Sequence, residues 1–338
     1  MIWERRFAVT NAKNEKNNNN LRTLYVKEIL FNRTDEENFL TVNDLAEILE
    51  NEYGITASRK TLYIDVDMLI EAGYDIECVR GKMNKYHVLS REFDIAELRF
   101  MIDSVASNQS LSRSQAQTLI NKLSRLGGPS ADYLLQGIDV DARPRSDNSK
   151  LYYIIDVINK SIKTEQQIAF KYYEYQTTSK KVLKNGGKIY TVSPYQLVCC
   201  NDYYYLLAYS DKHEKVTAFR VDRIYGIPEI KNVKCVPKPD YHSFKKYMRE
   251  SFHMKSGEEA TVILSFDNSV IDALIDRFGQ DLDITFIRKN DCIAKVNVQL
   301  NNVFFAWLFG FDGKVKISGP EPIKEQYIRM VSREMARL

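Results

Sequence analysis

Between Thr191 and Ile224 the chain reads TVSPYQLVCCNDYYYLLAYSDKHEKVTAFRVDRI, and no stretch limits its fold more. Branched and aromatic residues crowd three short runs: Tyr190 to Cys200, with Pro194 inside it, Tyr203 to Tyr209, and Lys215 to Ile224. Asn201-Asp202 and Ser210 to Glu214 separate them as polar turns. Runs of this kind form strands, because branched and ring side chains pack well on a pleated surface. Alternation along the third run sets Arg220 and Asp222 on one face and Phe219, Val221 and Arg223 on the other. Within Tyr204-Tyr205-Leu206, Tyr204 and Leu206 share a packing face, and Tyr205 turns the other way, toward a cleft. Arginines beside rings in a half-buried sheet require a carboxylate or an anion to receive them.

The flanking sequence extends this unit. Leu151 to Lys163 has helical periodicity, and Gln167 to Tyr175 alternates Ile168, Phe170 and Tyr172 with Ala169, Lys171 and Tyr173. Lys184-Asn185-Gly186-Gly187-Lys188 is a hairpin turn. One helix followed by about five short strands predicts a small barrel.

Upstream, three helices are expected. The first covers Leu21 to Asn32. The second opens at Thr41 with Asp44 three residues on, and the third spans Ala57 to Ala72 and stops at Gly73. Leu62, Val66, Leu69 and Ile70 give the third helix one buried stripe. Its first half carries Ser58, Arg59, Lys60, Thr61 and Tyr63, types that contact phosphates and bases. A hairpin with a basic loop follows: Tyr74 to Val79, then Arg80, Lys82 and Lys85 around the turn, then Tyr86 to Leu89. Three helices and a basic hairpin form the winged helix-turn-helix pattern, whose third helix fits the major groove of double-stranded DNA. Residues 1–20, with their run of asparagines, are expected as a disordered tail, and 91–149 as a helical linker ending in a polar, Pro-containing boundary. After a connector at 231–257, residues 258–338 follow the order β-α-β-β-α-β-α of a ferredoxin-like domain.

With 338 residues the chain can hold about two or three domains. Its net charge of +3 permits a nucleic-acid partner without requiring one. Five cysteines without a CxxC pair argue against a disulfide scaffold or zinc ribbon and for a reducing, cytoplasmic setting. No run reaches membrane-spanning length. No P-loop, GxSxG, HExxH or GxGxxG occurs, and the four histidines are scattered, so neither an enzyme, a metal site nor a cofactor is expected. Taken alone, the residues admit two roles for Arg223. It either pairs with a carboxylate such as Glu229, or joins Arg220, Ser193, Tyr195 and Tyr205 around a phosphate-bearing ligand.

Several motifs together resemble the WYL-type transcriptional regulators of bacteria. The third helix, SRKTLYIDVDMLIEAG, matches their pattern at Ser58, Arg59, Thr61, Asp65, Leu69 and Gly73, with Ile64 where the family commonly has Arg. Ser193 to Val198, Asn201 to Tyr209 and Phe219 to Ile224 resemble the WYL domain in order and spacing, Tyr204 standing for the eponymous Trp. Trp307 to Gly313 and Gly319-Pro320 resemble the C-terminal extension known as WCX. The resemblance implies a winged helix-turn-helix at 21–90, a dimerising linker at 91–149, an Sm/SH3-like WYL barrel at 150–230 and a WCX domain at 258–338. It further implies a homodimer on an operator, and a barrel that senses a nucleotide or single-stranded nucleic acid through Arg220 and Arg223. A defence-system accessory protein binding RNA or single-stranded DNA is the alternative, and a nucleotide-processing enzyme a third.

Overall fold

The computed structural model describes residues 15–176, 180–212, 214–238, 257–288 and 290–337. They divide into two compact units, Met1–Asp147 and Asn148–Leu338.

The first unit begins with α1 (Glu15–Arg33), β1 (Leu40–Thr41), α2 (Val42–Tyr53), α3 (Arg59–Glu71), β2 (Ile76–Val79) and β3 (Lys85–Val88). The strands form an antiparallel sheet in the order β1-β3-β2. Thr41 and Asp44 close a reciprocal capping box at the start of α2, and Gly54, at φ 65°, ends that helix in the left-handed region that Cβ disfavours. Val26, Ile29 and Leu30 of α1 meet Leu45 and Leu49 of α2, Leu62, Val66 and Leu69 of α3, and Tyr86 and Val88 of β3 in one core. A charged group is built into this packing. Asp65 of α3, 1% exposed, receives Arg22 Nε at 2.6 Å, Arg22 Nη2 at 3.2 Å and the Thr23 hydroxyl at 2.6 Å. Part of the stretch expected as a tail over residues 1–20 is helical. Residues 1–14 lie outside the described residues, whereas Glu15–Asn20 continue α1 toward its N-terminus. Extending an established helix through asparagines costs less than starting one.

Two capped helices follow, α4 (Ile95–Ser107) and α5 (Arg113–Ser124), then 3-10 turns at Arg125–Gly127 and Pro129–Leu135. The segment beyond them is more than a polar boundary. Arg145 donates to the carbonyls of Ala106, Asn108 and Val140, two of which lie at the end of α4. A cation there meets the negative end of the helix dipole.

The second unit opens with α6 (Leu151–Thr164), β4 (Gln166–Tyr175), β5 (Lys181–Leu183), β6 (Tyr190–Cys200), β7 (Tyr203–Ser210), β8 (Lys215–Arg220) and β9 (Ile224–Lys234). The sheet order is β5-β4-β6-β7-β8, with β9 also paired to β4. There are thus six strands where about five were expected. The third run of the opening stretch ends early: β8 stops at Arg220, Val221–Arg223 form a 3-10 turn, and Ile224 starts β9. The expected connector starts late in turn, because β9 runs on through Lys234; residues 239–256 of it lie outside the described residues.

The C-terminal part runs β10 (Glu258–Asp267), α7 (Ile271–Phe278), β11 (Ile284–Phe286), β12 (Asp291–Leu300), α8 (Asn302–Phe309), β13 (Val315–Gly319) and α9 (Glu321–Met335). Its antiparallel sheet is ordered β11-β12-β10-β13 around a core of Val262, Leu264, Leu274, Val296, Phe304, Phe305 and Leu308. Among the described residues no helix is long and apolar enough to cross a membrane.

Candidate functional site

A cavity of about 750 Å³ opens on the sheet of the second unit. That lies within the range of roughly 300–1,000 Å³ typical of small-molecule sites. Tyr172, Tyr190, Tyr203, Tyr205 and Phe219 supply rings, Lys184, Lys212, Arg220 and Arg223 supply cations, and no carboxylate is among its lining residues.

The strands explain the placement. Tyr203 and Tyr205 are two apart on β7, so they share a face, and Tyr205 sits opposite Arg220 in the register of β7 with β8. The rings of Phe170, Tyr172, Tyr190 and Phe219 form a cluster with centroids between 5.4 and 6.3 Å apart. Most of these pairs meet edge to face, the arrangement ring quadrupoles favour. Burial pushes the Tyr172, Tyr190 and Tyr205 phenols above their ordinary range, so all three stay neutral at physiological pH.

The two arginines are held differently. Arg220 Nε and Nη2 form a fork on Asp222 Oδ1 and Oδ2 at 3.0 and 2.7 Å. Its guanidinium lies 3.3 Å from the centroid of the Tyr203 ring, and its backbone N–H donates to the Tyr172 hydroxyl at 2.8 Å. Burial opposes the charge on Arg220, but the hydrogen bonds and charge of Asp222 outweigh it and raise the pKa. Among the described residues Arg223 forms no such carboxylate fork. Its Nε is buried without a hydrogen bond among the described residues, and its guanidinium stands 6.0 Å from the Tyr175 ring. Glu229, the carboxylate considered for it, takes Lys231 instead at 2.6 Å. The hydroxyl of Thr217, also in the lining, is likewise buried without a partner. Three apart, the arginines would face opposite ways on one strand; the 3-10 turn between β8 and β9 brings both to the same cavity.

Five residues were expected around a ligand. Tyr205, Arg220 and Arg223 line the cavity; Ser193 and Tyr195 do not. The buried Ser193 hydroxyl accepts from Gln167 Nε2 at 3.2 Å and from the Val236 N–H at 3.0 Å. The Tyr195 hydroxyl donates to the carbonyls of Val236 and Pro237 at 3.0 and 3.1 Å. Both fasten the chain beyond β9. β6 carries a register shift against β7 between Pro194 and Gln196. Tyr172, Tyr190, Tyr203 and Thr217 were missed as lining residues. Tyr203 was within reach, since it shares the face of Tyr205 two residues on. Asn148, the first residue of this unit, donates from its side chain to the carbonyls of Asp222 and Ile224, which bracket Arg223, at 3.0 and 3.1 Å.

Residues 153–228 match the family model of the WYL domain. The cavity of the WYL domain is therefore the one lined by Tyr205, Arg220 and Arg223. No curated protein matches the chain. Among solved structures, the chain is similar to the proteasome accessory factor B/C (PafBC) of Arthrobacter aurescens, at 16% identity and a TM-score of 0.30, covering 96% of this chain and 49% of that one. It thus spans about half the length of PafBC. It is also similar to a CRISPR Cas-related protein, at 14% identity and a TM-score of 0.36, covering 99% of this chain and 88% of that one.

The DNA-contact residues expected in the first unit lie on α3 and the hairpin. Arg59 and Lys60 are exposed in the first turn of α3, and Tyr63 is half-buried. Ser58 and Thr61 are engaged locally: the Ser58 hydroxyl accepts from the Thr61 N–H at 3.2 Å and lies 2.8 Å from its hydroxyl, capping α3. Arg80, Lys82 and Lys85 are all exposed on the β2–β3 hairpin.

Proposed function

We propose that this chain is a ligand-responsive, DNA-binding transcription regulator. In this reading α1 to α3 and the β2–β3 hairpin act as a winged helix-turn-helix on duplex DNA. The WYL cavity takes a phosphate-bearing effector, a nucleotide or a segment of single-stranded nucleic acid. One observation carries the effector site: Lys184, Lys212 and Arg223 bring cations to a ring-walled cavity with no carboxylate among its lining residues. An anion with acceptor oxygens satisfies Arg223, and the tyrosine faces suit a stacked base.

The DNA reading rests on the exposed cations Arg59, Lys60, Arg80, Lys82 and Lys85 around α3. Two copies on two half-sites give the homodimer its role. The test is binding of a random duplex pool and of a single-stranded oligonucleotide at two salt concentrations. Duplex binding should weaken steeply with salt, and Arg59→Ala with Lys60→Ala should lower the log–log slope by about 1 for each cation removed. Duplex affinity untouched by that double substitution sinks the reading. Single-strand binding through the barrel with no duplex binding would favour an accessory protein instead.

A further inference from the structure

The buried residues of α3 are Leu62, Asp65, Val66 and Leu69, and they set its inward direction. At about 100° per residue the opposite direction passes between Lys60 and Ile64, within roughly 30° of each. Arg59 and Tyr63 fall to one flank. Ile64 is 51% exposed, an apolar side chain at the centre of the outward face. Farther along that face stand Asp67 and Glu71, both exposed. These carboxylates repel a phosphate backbone, while the first turn carries Arg59 and Lys60 and the positive end of the helix dipole. A duplex therefore meets the N-terminal half of α3, and the residues pointing straight at it are Lys60 and Ile64. An isoleucine gains nothing from a phosphate. On the major-groove edge of the bases the one apolar group is the C5-methyl of thymine.

We propose that Ile64 is a specificity-determining residue that reads a thymine methyl group in each half-site, with Lys60 beside it on the acceptors of a neighbouring base. The proposal rests on the reading that α3 enters duplex DNA. Burying one methyl group is worth about fourfold in affinity. The experiment takes the tightest duplex selected by the full chain from a random pool. That duplex is remade with deoxyuridine at each thymine in turn, which removes only the methyl group. One thymine per half-site should lose about fourfold on this exchange, and Ile64→Ala should bind the thymine and uracil duplexes alike. A duplex indifferent to every exchange overturns the proposal, as does a methyl effect that survives Ile64→Ala. A pool that yields no bound duplex overturns the DNA reading along with it, and is distinct from both.

Discussion

Arg220 and Arg223 share a cavity but not a task. Arg220 is already neutralised by Asp222 and stacked on Tyr203, whereas Arg223 is held without a hydrogen-bonding partner at Nε among the described residues. Arg223→Met should leave the melting temperature unchanged or slightly higher, because it removes a buried unsatisfied donor. It should weaken binding of a nucleotide or single-stranded probe by roughly ten- to a hundredfold, the worth of a charged hydrogen bond. Calorimetric titration and a thermal melt on the same variant check both halves. Arg220→Ala behaves differently: it strands Asp222, only 5% exposed, and should cost roughly 3–5 kcal/mol of stability. Asp65 presents the same physics elsewhere. It lies on a helix read as DNA-facing but is spent on Arg22 and Thr23, so Asp65→Ala should also cost roughly 3–5 kcal/mol in a denaturant melt.

The helices and strands themselves were largely legible from period and caps. The capping-box signal at Thr41 and Asp44 marks the start of α2, and the meander from Tyr190 onward follows the Asn-Asp and Ser-Asp turns. What sequence alone could not show were the interruptions. Ser193 and Tyr195 beside a register shift in β6 are bonded to the chain beyond β9, and the 3-10 turn after Arg220 brings Arg223 to the cavity. Each depends on tertiary pairing with β7 and β4, which local alternation does not encode. Two tests belong here. Ser58→Ala removes the N-cap of α3 and should cost about 1 kcal/mol of stability by thermal melt. The loop after α1 should be acid-sensitive. Burial raises the Asp35 pKa, but hydrogen bonds from the Ser130 and Glu37 N–H groups and the Asn38 amide hold it below its ordinary value of 3.8. A depressed folded pKa stabilises above the unfolded value, and that contribution is lost as pH falls through the folded one. Exchange at the Ser130 amide should therefore accelerate only on acidification below the usual aspartate range.

Across the whole chain, composition and motif spacing foretold an α+β protein of several parts, and the WYL segment was recognisable from Tyr205, Leu206 and the Phe219-to-Ile224 run despite Tyr204. The division into units falls between Asp147 and Asn148, inside the polar stretch read as a boundary. Asn148 belongs to the second unit by its bonds as well as its position. Its amide holds both peptide carbonyls that bracket Arg223. The last link before the polypeptide passes into the first unit is thus bonded to the arginine turn. If the proposed effector shifts this turn, those two bonds stretch or break with it. In the proposed regulator, coupling through this turn would be reciprocal, so DNA on the first unit would change effector affinity by the same factor. Asn148→Ala should leave each ligand's own affinity intact while bringing that factor to one.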